Sequence, residues 1–209
     1  MKKNIKTVVL AVAILMPALL TAQIKINPVV GYDFQIRYST TNEVASNFSG
    51  IAAGAQVNFP TSRLFALKGG LQYRFSFTNG TVAYYNLQKG DASIYEHSLE
   101  VPVTFGIRFP IGKAGRNFMI DLGPTGSFNM YSSMKPSTNV MGYSTTERYN
   151  LHKAGLAQRW NLFGCLTLGY AFTDFLTFKA GYRYGFLNQG SETNTIKINS
   201  ITASIAVNL

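Results

Sequence analysis

The chain has 209 residues, 13% of them charged, a formal charge of +10 and one cysteine, Cys165, which excludes an intrachain disulfide framework. The basic balance does not indicate a nucleic-acid partner, because Lys and Arg are scattered through strand-like segments instead of forming one patch or helix. Beyond the N-terminal leader no apolar run is long enough to make a membrane helix.

The leader occupies residues 1–22. Lys2, Lys3 and Lys6 form a positive start, Val8 to Leu20 an apolar stretch broken only by Pro17, and Thr21-Ala22 small residues before a cut at Gln23. This is the pattern of a cleaved secretory signal peptide. No cysteine follows the cut, so a lipid anchor is not expected. Residues 23–209 then suit a single domain.

That domain alternates apolar and polar residues with a period of two, the signature of strands. In the first segment Ile24, Ile26, Val30, Tyr32, Phe34, Ile36 and Tyr38 share one face, and Lys25, Asn27, Asp33, Gln35 and Arg37 the other. The alternation returns at 50–59, 65–77, 99–109, 118–129, 159–170, 176–186 and 200–209. Many of these runs exceed the usual globular strand and match a tilted membrane strand of about 9–11 residues. The connections at 60–63, 110–117 and 173–174 are short, whereas 39–47, 78–94, 132–155 and 188–195 are longer. Eight strands with short turns at one end and long loops at the other describe an all-β, eight-stranded, antiparallel up-and-down transmembrane β-barrel of the outer membrane.

A soluble ligand-binding barrel also has eight strands, with its apolar face inward. Two features point the other way. The polar face carries Gly50, Gly54, Gly70, Gly106 and Gly181, small residues suited to a crowded interior. The apolar face gathers aromatics near strand ends (Tyr38, Phe59, Phe77, Phe109, Phe118, Trp160 and Phe172), as an interfacial girdle does. Pro28, Pro102 and Pro124 each remove a ladder donor, and bulges are the expected remedy.

An eight-stranded barrel is only wide enough for its own side chains. The inward set includes Lys25, Arg37, Lys68, Arg74, Arg108, Arg159, Lys179 and Arg183 against Asp33, Glu100 and Asp121. Buried charges demand partners. A lumen network is therefore expected from Asp33, Arg74, Glu100, Arg108, Asp121 and Arg183, with Glu100 beside Arg74 or Arg108. Its role is to brace a filled lumen. The surplus of bases leaves an alternative, a narrow anion-preferring channel.

The enzymatic reading needs convergent side chains. His97 shares a face with Leu99, whereas Ser98 and Glu100 point to the other face, and His152 lies in the longest loop. No catalytic set, metal site or cofactor is expected from these residues. Cys165 reads as a small buried filler. The loop at 132–155 holds Lys135, Tyr143, Glu147, Arg148, Tyr149 and Lys153. Tyr and Arg are favoured contact residues, so Tyr143, Arg148 and Tyr149 are the expected surface contacts.

The stretch LEVPVTFGIRF, followed by FMIDLGPTGSF, LTLGYAF and FKAGYRYGFLN, resembles the outer-membrane β-barrel proteins of Bacteroidetes, including PorT-like members. The resemblance extends over essentially all of 23–209. It implies a barrel like OmpX or OmpA, with outer-membrane lipids around it and, for some members, a tie to secretion machinery. One departure is the last residue, Leu209, where such chains usually end in an aromatic. The function expected from residues and resemblance together is a non-enzymatic structural or interaction component of the envelope. It would act through its surface loops, with an envelope or secretion-complex protein as partner.

Overall fold

Period-two alternation becomes long antiparallel strands. The computed structural model describes residues 25–39, 45–62, 64–82, 90–111, 116–137, 147–190 and 195–208. The leader, residues 1–22, lies outside them. The strands are β1 (Lys25–Ser39), β2 (Ala45–Pro60), β3 (Phe65–Val82), β4 (Gly90–Pro110), β5 (Asn117–Pro136), a two-residue β6 (Tyr149–Asn150), β7 (Trp160–Ala171), β8 (Leu176–Gly185) and β9 (Ile196–Val207). Each long strand pairs with its neighbour in sequence, β5 with β7, and β9 returns to β1, so eight strands close into a ring. The short β6 lies against the outer part of β5, through Ser133–Asn150 and Met134–Tyr149.

The wall has its polar face inward. Asp33, Lys68 and Glu100 are buried, while Leu122 is 61% and Trp160 65% exposed. A soluble ligand-binding barrel has the opposite arrangement, so burial decides the question in favour of a membrane-type barrel. An apolar exterior of this extent is stable against lipid, not water.

The wall is uneven. β3, β4 and β5 have 18, 21 and 20 residues, whereas β7, β8 and β9 have 12, 10 and 12. The loop expected at 132–155 therefore starts later: β5 continues to Pro136, and β4 already begins at Gly90. A β-bulge interrupts β5 before this extension. His97 pairs with Tyr131 but Ser98 with Asn129, which leaves Met130 as the extra residue. Beyond it the parity of β5 reverses, and Ser132 and Met134 face inward.

The prolines are accommodated differently from the expectation. The register around them is unbroken; what is missing is a set of bridges on one side. The β1–β9 pairing begins at Val29, just past Pro28. The β3–β4 ladder skips from Gly69–Val103 to Gln72–Glu100 beside Pro102, and the β4–β5 ladder from Pro102–Thr125 to Phe105–Leu122 beside Pro124. A Cβ on Gly70 would lie 3.3 Å from Pro102 Cγ, so Gly70 leaves room for the ring.

Candidate functional site

The lumen is filled by three tiers of charge beneath an apolar plug. In the middle tier Glu100 receives two arginines. Arg74, from the adjacent strand, donates Nε to Oε1 at 2.9 Å and Nη2 to Oε2 at 2.8 Å. Arg183, reaching across from β8, donates Nη2 to Oε1 at 2.7 Å. Arg74 also pairs with Asp33. Gln35 Nε2 donates to Asp33 Oδ2 at 2.8 Å and to Ser76 at 3.0 Å. Six side chains from four strands thus pair with one another in a closed space.

The tier nearest the short turns is built on Asp121. Lys68 pairs with it closely, and Lys179 approaches at 3.7 Å while donating to Gln56 Oε1 at 2.6 Å. Arg108 belongs here and not with Glu100. The two are eight positions apart on β4, about 26 Å at ~3.3 Å per residue, beyond side-chain reach. Lys25 stands exposed at the rim of this end. Arg159, expected inside, is exposed near the loop end, where it precedes β7; its Nη1 donates to the carbonyl of Met130 at 3.1 Å and so braces the bulge.

The tier nearest the loops pairs Arg37 with Glu96, Nη1 to Oε1 at 2.9 Å and Nη2 to Oε2 at 2.5 Å, and Ser132 donates to Glu96 at 3.2 Å. Glu96 shares the parity of Glu100, a signal the sequence carries. Above this pair Phe48, Ala92, Ile94, Met134, Leu151 and Ile196 form a buried apolar cluster flanked by Leu156 and Ala157. The Arg37 guanidinium lies 3.5 Å from the Phe48 ring centroid, so the topmost ion pair touches the plug.

Leu151 enters from the outer loop on a capped turn. Asn150 Oδ1 accepts from the backbone N–H of His152 (3.1 Å) and Lys153 (3.0 Å), as an N-cap does. Gly155 ends the turn at φ +69°, and Leu156 N–H returns to the carbonyl of Leu151 at 2.9 Å. The same loop is tied to the β8–β9 connection by Gln158 N–H on the carbonyl of Gln189, 3.1 Å.

Of the expected surface contacts, Tyr143 lies outside the described residues. Arg148 is exposed, its guanidinium 5.9 Å from the Tyr95 ring, and Tyr149 donates to Glu147 at 3.3 Å. His97 bonds Tyr73 and is surrounded by the rings of Phe75 and Tyr131. It therefore sits on the face opposite the buried Glu100. Cys165 is buried beside Thr125, with 3.2 Å between sulfur and hydroxyl. Among the described residues no group of three or more His, Cys, Asp or Glu is placed to hold a metal.

No protein-family model and no curated protein sequence matches the chain. Solved structures do. Neisserial surface protein A matches with a TM-score of 0.51 at 13% identity, over 88% of this chain and 97% of that one. Ail, the attachment invasion locus protein of Yersinia pestis, matches with 0.48 at 13% identity, over 88% and 98%. The outer membrane enzyme PagL matches with 0.46 at 11% identity, over 86% and 99%. At such identities the likeness is one of fold. The chain has the fold of an eight-stranded outer-membrane β-barrel.

Proposed function

We propose that this protein is a non-enzymatic integral outer-membrane barrel that serves the cell envelope as a structural or interaction component through its outer face. On this reading it is exported by cleavage of residues 1–22 and is related to the PorT-like barrels of Bacteroidetes. The observation that carries the proposal is the closed lumen, with three tiers of paired charge capped by the plug of Phe48, Ile94, Met134 and Leu151. With the mouth closed by the plug, contact surface for a protein partner remains on the outside. β3, β4 and β5 supply it by rising past the shorter strands, with Arg148 resting over Tyr95 at their outer end. Tyr and Arg so placed are suited to a protein partner.

The test is crosslinking in intact cells followed by affinity capture, comparing the wild-type chain with one lacking residues 138–146. A stoichiometric envelope partner lost on deletion, with the barrel still inserted, supports the proposal; capture unchanged by the deletion contradicts the role of this loop. The channel reading has one observation in its favour, a surplus of lumen cations over acids. The plug stands against it.

A further inference from the structure

We propose that the vestibule at the turn end of the barrel is a binding site for a small tetrahedral oxyanion, phosphate in chemical class. The cavity there has a volume of about 220 Å³ and is lined by Lys68, Lys179, Arg108 and Asn58, with Lys25 and Asp174 at its rim. Water takes roughly 30 Å³ per molecule in the liquid, so the space holds an oxyanion together with several waters.

Charge is the reason an anion belongs in it. The rim residues Lys25 and Asp174 offset each other. Inside, Asp121 alone faces three cations: Lys68 pairs with it, Lys179 stands 3.7 Å away, and the charge of Arg108 acts on both lysines. Among the described residues this tier therefore carries two more positive charges than carboxylates. The other tiers show no such excess. The middle tier sets Arg74 and Arg183 against Asp33 and Glu100, and the loop tier sets Arg37 against Glu96. Like charges crowded in a poorly solvated lumen repel strongly, and a dianion among them removes the imbalance.

Geometry adds to this. The Nε of Arg108 is buried without a hydrogen-bond partner among the described residues, and guanidinium donors are matched to oxyanions. The flexible ammonium groups of Lys68 and Lys179 supply further donors from two other strands. Because the plug closes the far end, the vestibule is blind: it holds an anion without passing it on.

The experiment uses the full barrel in a non-ionic, phosphate-free detergent. Inorganic phosphate is titrated at constant ionic strength, with sodium chloride as the balance, and binding is read by calorimetry and by the unfolding temperature. Phosphate is expected to bind and to raise the unfolding temperature above the chloride control. Arg108→Gln, which breaks no ion pair among the described residues, is expected to weaken binding by about tenfold or more. Arg159→Gln, at the opposite end, is expected to leave it unchanged. A phosphate response equal to chloride, or an Arg108→Gln affinity equal to wild type, overturns the proposal. Binding of short-chain phosphatidylglycerol with none by free phosphate also overturns it, assigning the vestibule to a lipid headgroup instead.

Discussion

Asp33 and Arg74 meet over the bare Cα of Gly50, on the strand that lies between theirs. Neighbouring strands are about 4.8 Å apart, so a pair that skips one must cross it, and any side chain on the middle strand stands in the way. The same device recurs lower down, where Lys68 of β3 reaches Asp121 of β5 over Gly106 of β4. A Cβ on Gly50 would run into the Asp33 carboxylate, and one on Gly106 into Asp121 and the Lys68 side chain.

Gly50→Ala and Gly106→Ala are therefore expected to destabilise the barrel by about 1–3 kcal/mol each through overpacking. Gly126→Ala, where an added Cβ meets nothing within 4 Å, is the matched control and should be near neutral. Urea unfolding of the three variants in lipid vesicles measures the difference. Equal stabilities would mean that the ion pairs do not need the glycines.

Glu100 holds two guanidinium groups. Glu100→Gln leaves Arg183 without its carboxylate and Arg74 with Asp33 alone, at an expected cost of about 3–5 kcal/mol. Adding Arg183→Met should recover part of that loss, because the orphaned charge goes with it. Unfolding midpoints of the single and double variants decide. A double variant less stable than the single one would show that Arg183 has other work in the lumen.

Met130 is the extra residue of the β5 bulge. Deleting it leaves Asn129 inward, Tyr131 outward and Ser132 inward, an unbroken alternation, so Ser132 stays on Glu96 and Met134 stays in the plug. The variant is expected to insert and to protect residues 147–158 from added protease as well as the wild type does. Rapid cutting of 147–158 would show that the plug needs the bend that the bulge introduces.

Leu151 anchors that loop in the mouth, and it is fully buried. Leu151→Ala is expected to weaken the plug by about 2–5 kcal/mol, the usual range for a buried leucine. Hydrogen exchange at residues 150–157 should accelerate by at least about tenfold, with strands β7 to β9 unaffected.

The sequence was legible where the lumen is polar. Asp33, Arg74, Asp121 and Arg183 alternate with lipid-facing residues, so period two reveals both the strands and their inner face. Toward the loops this contrast fades. Phe48, Ile94, Met134, Phe163, Ile196 and Ile198 are apolar and yet buried inside, so both faces of the wall read alike. The extra lengths of β3, β4 and β5, the Arg37–Glu96 pair and the plug lie in that region. The Met130 bulge hides the end of β5 for a different reason, since it breaks parity in mid-strand. Arg108 shows a third limit. Parity gives the face of a side chain but not its height, and height separates Arg108 from Glu100. The prolines show a fourth, because a missing bridge leaves no mark on the residue pattern.

A barrel that is shut by its plug and acts from its outside conducts no ions, and single-channel recording of the purified protein in planar bilayers checks this. The wild type is expected to leave the membrane silent, with conductance events appearing only when the plug is broken, as in Leu151→Asp combined with Phe48→Ala. Discrete, anion-selective steps from the wild-type protein would contradict a shut barrel.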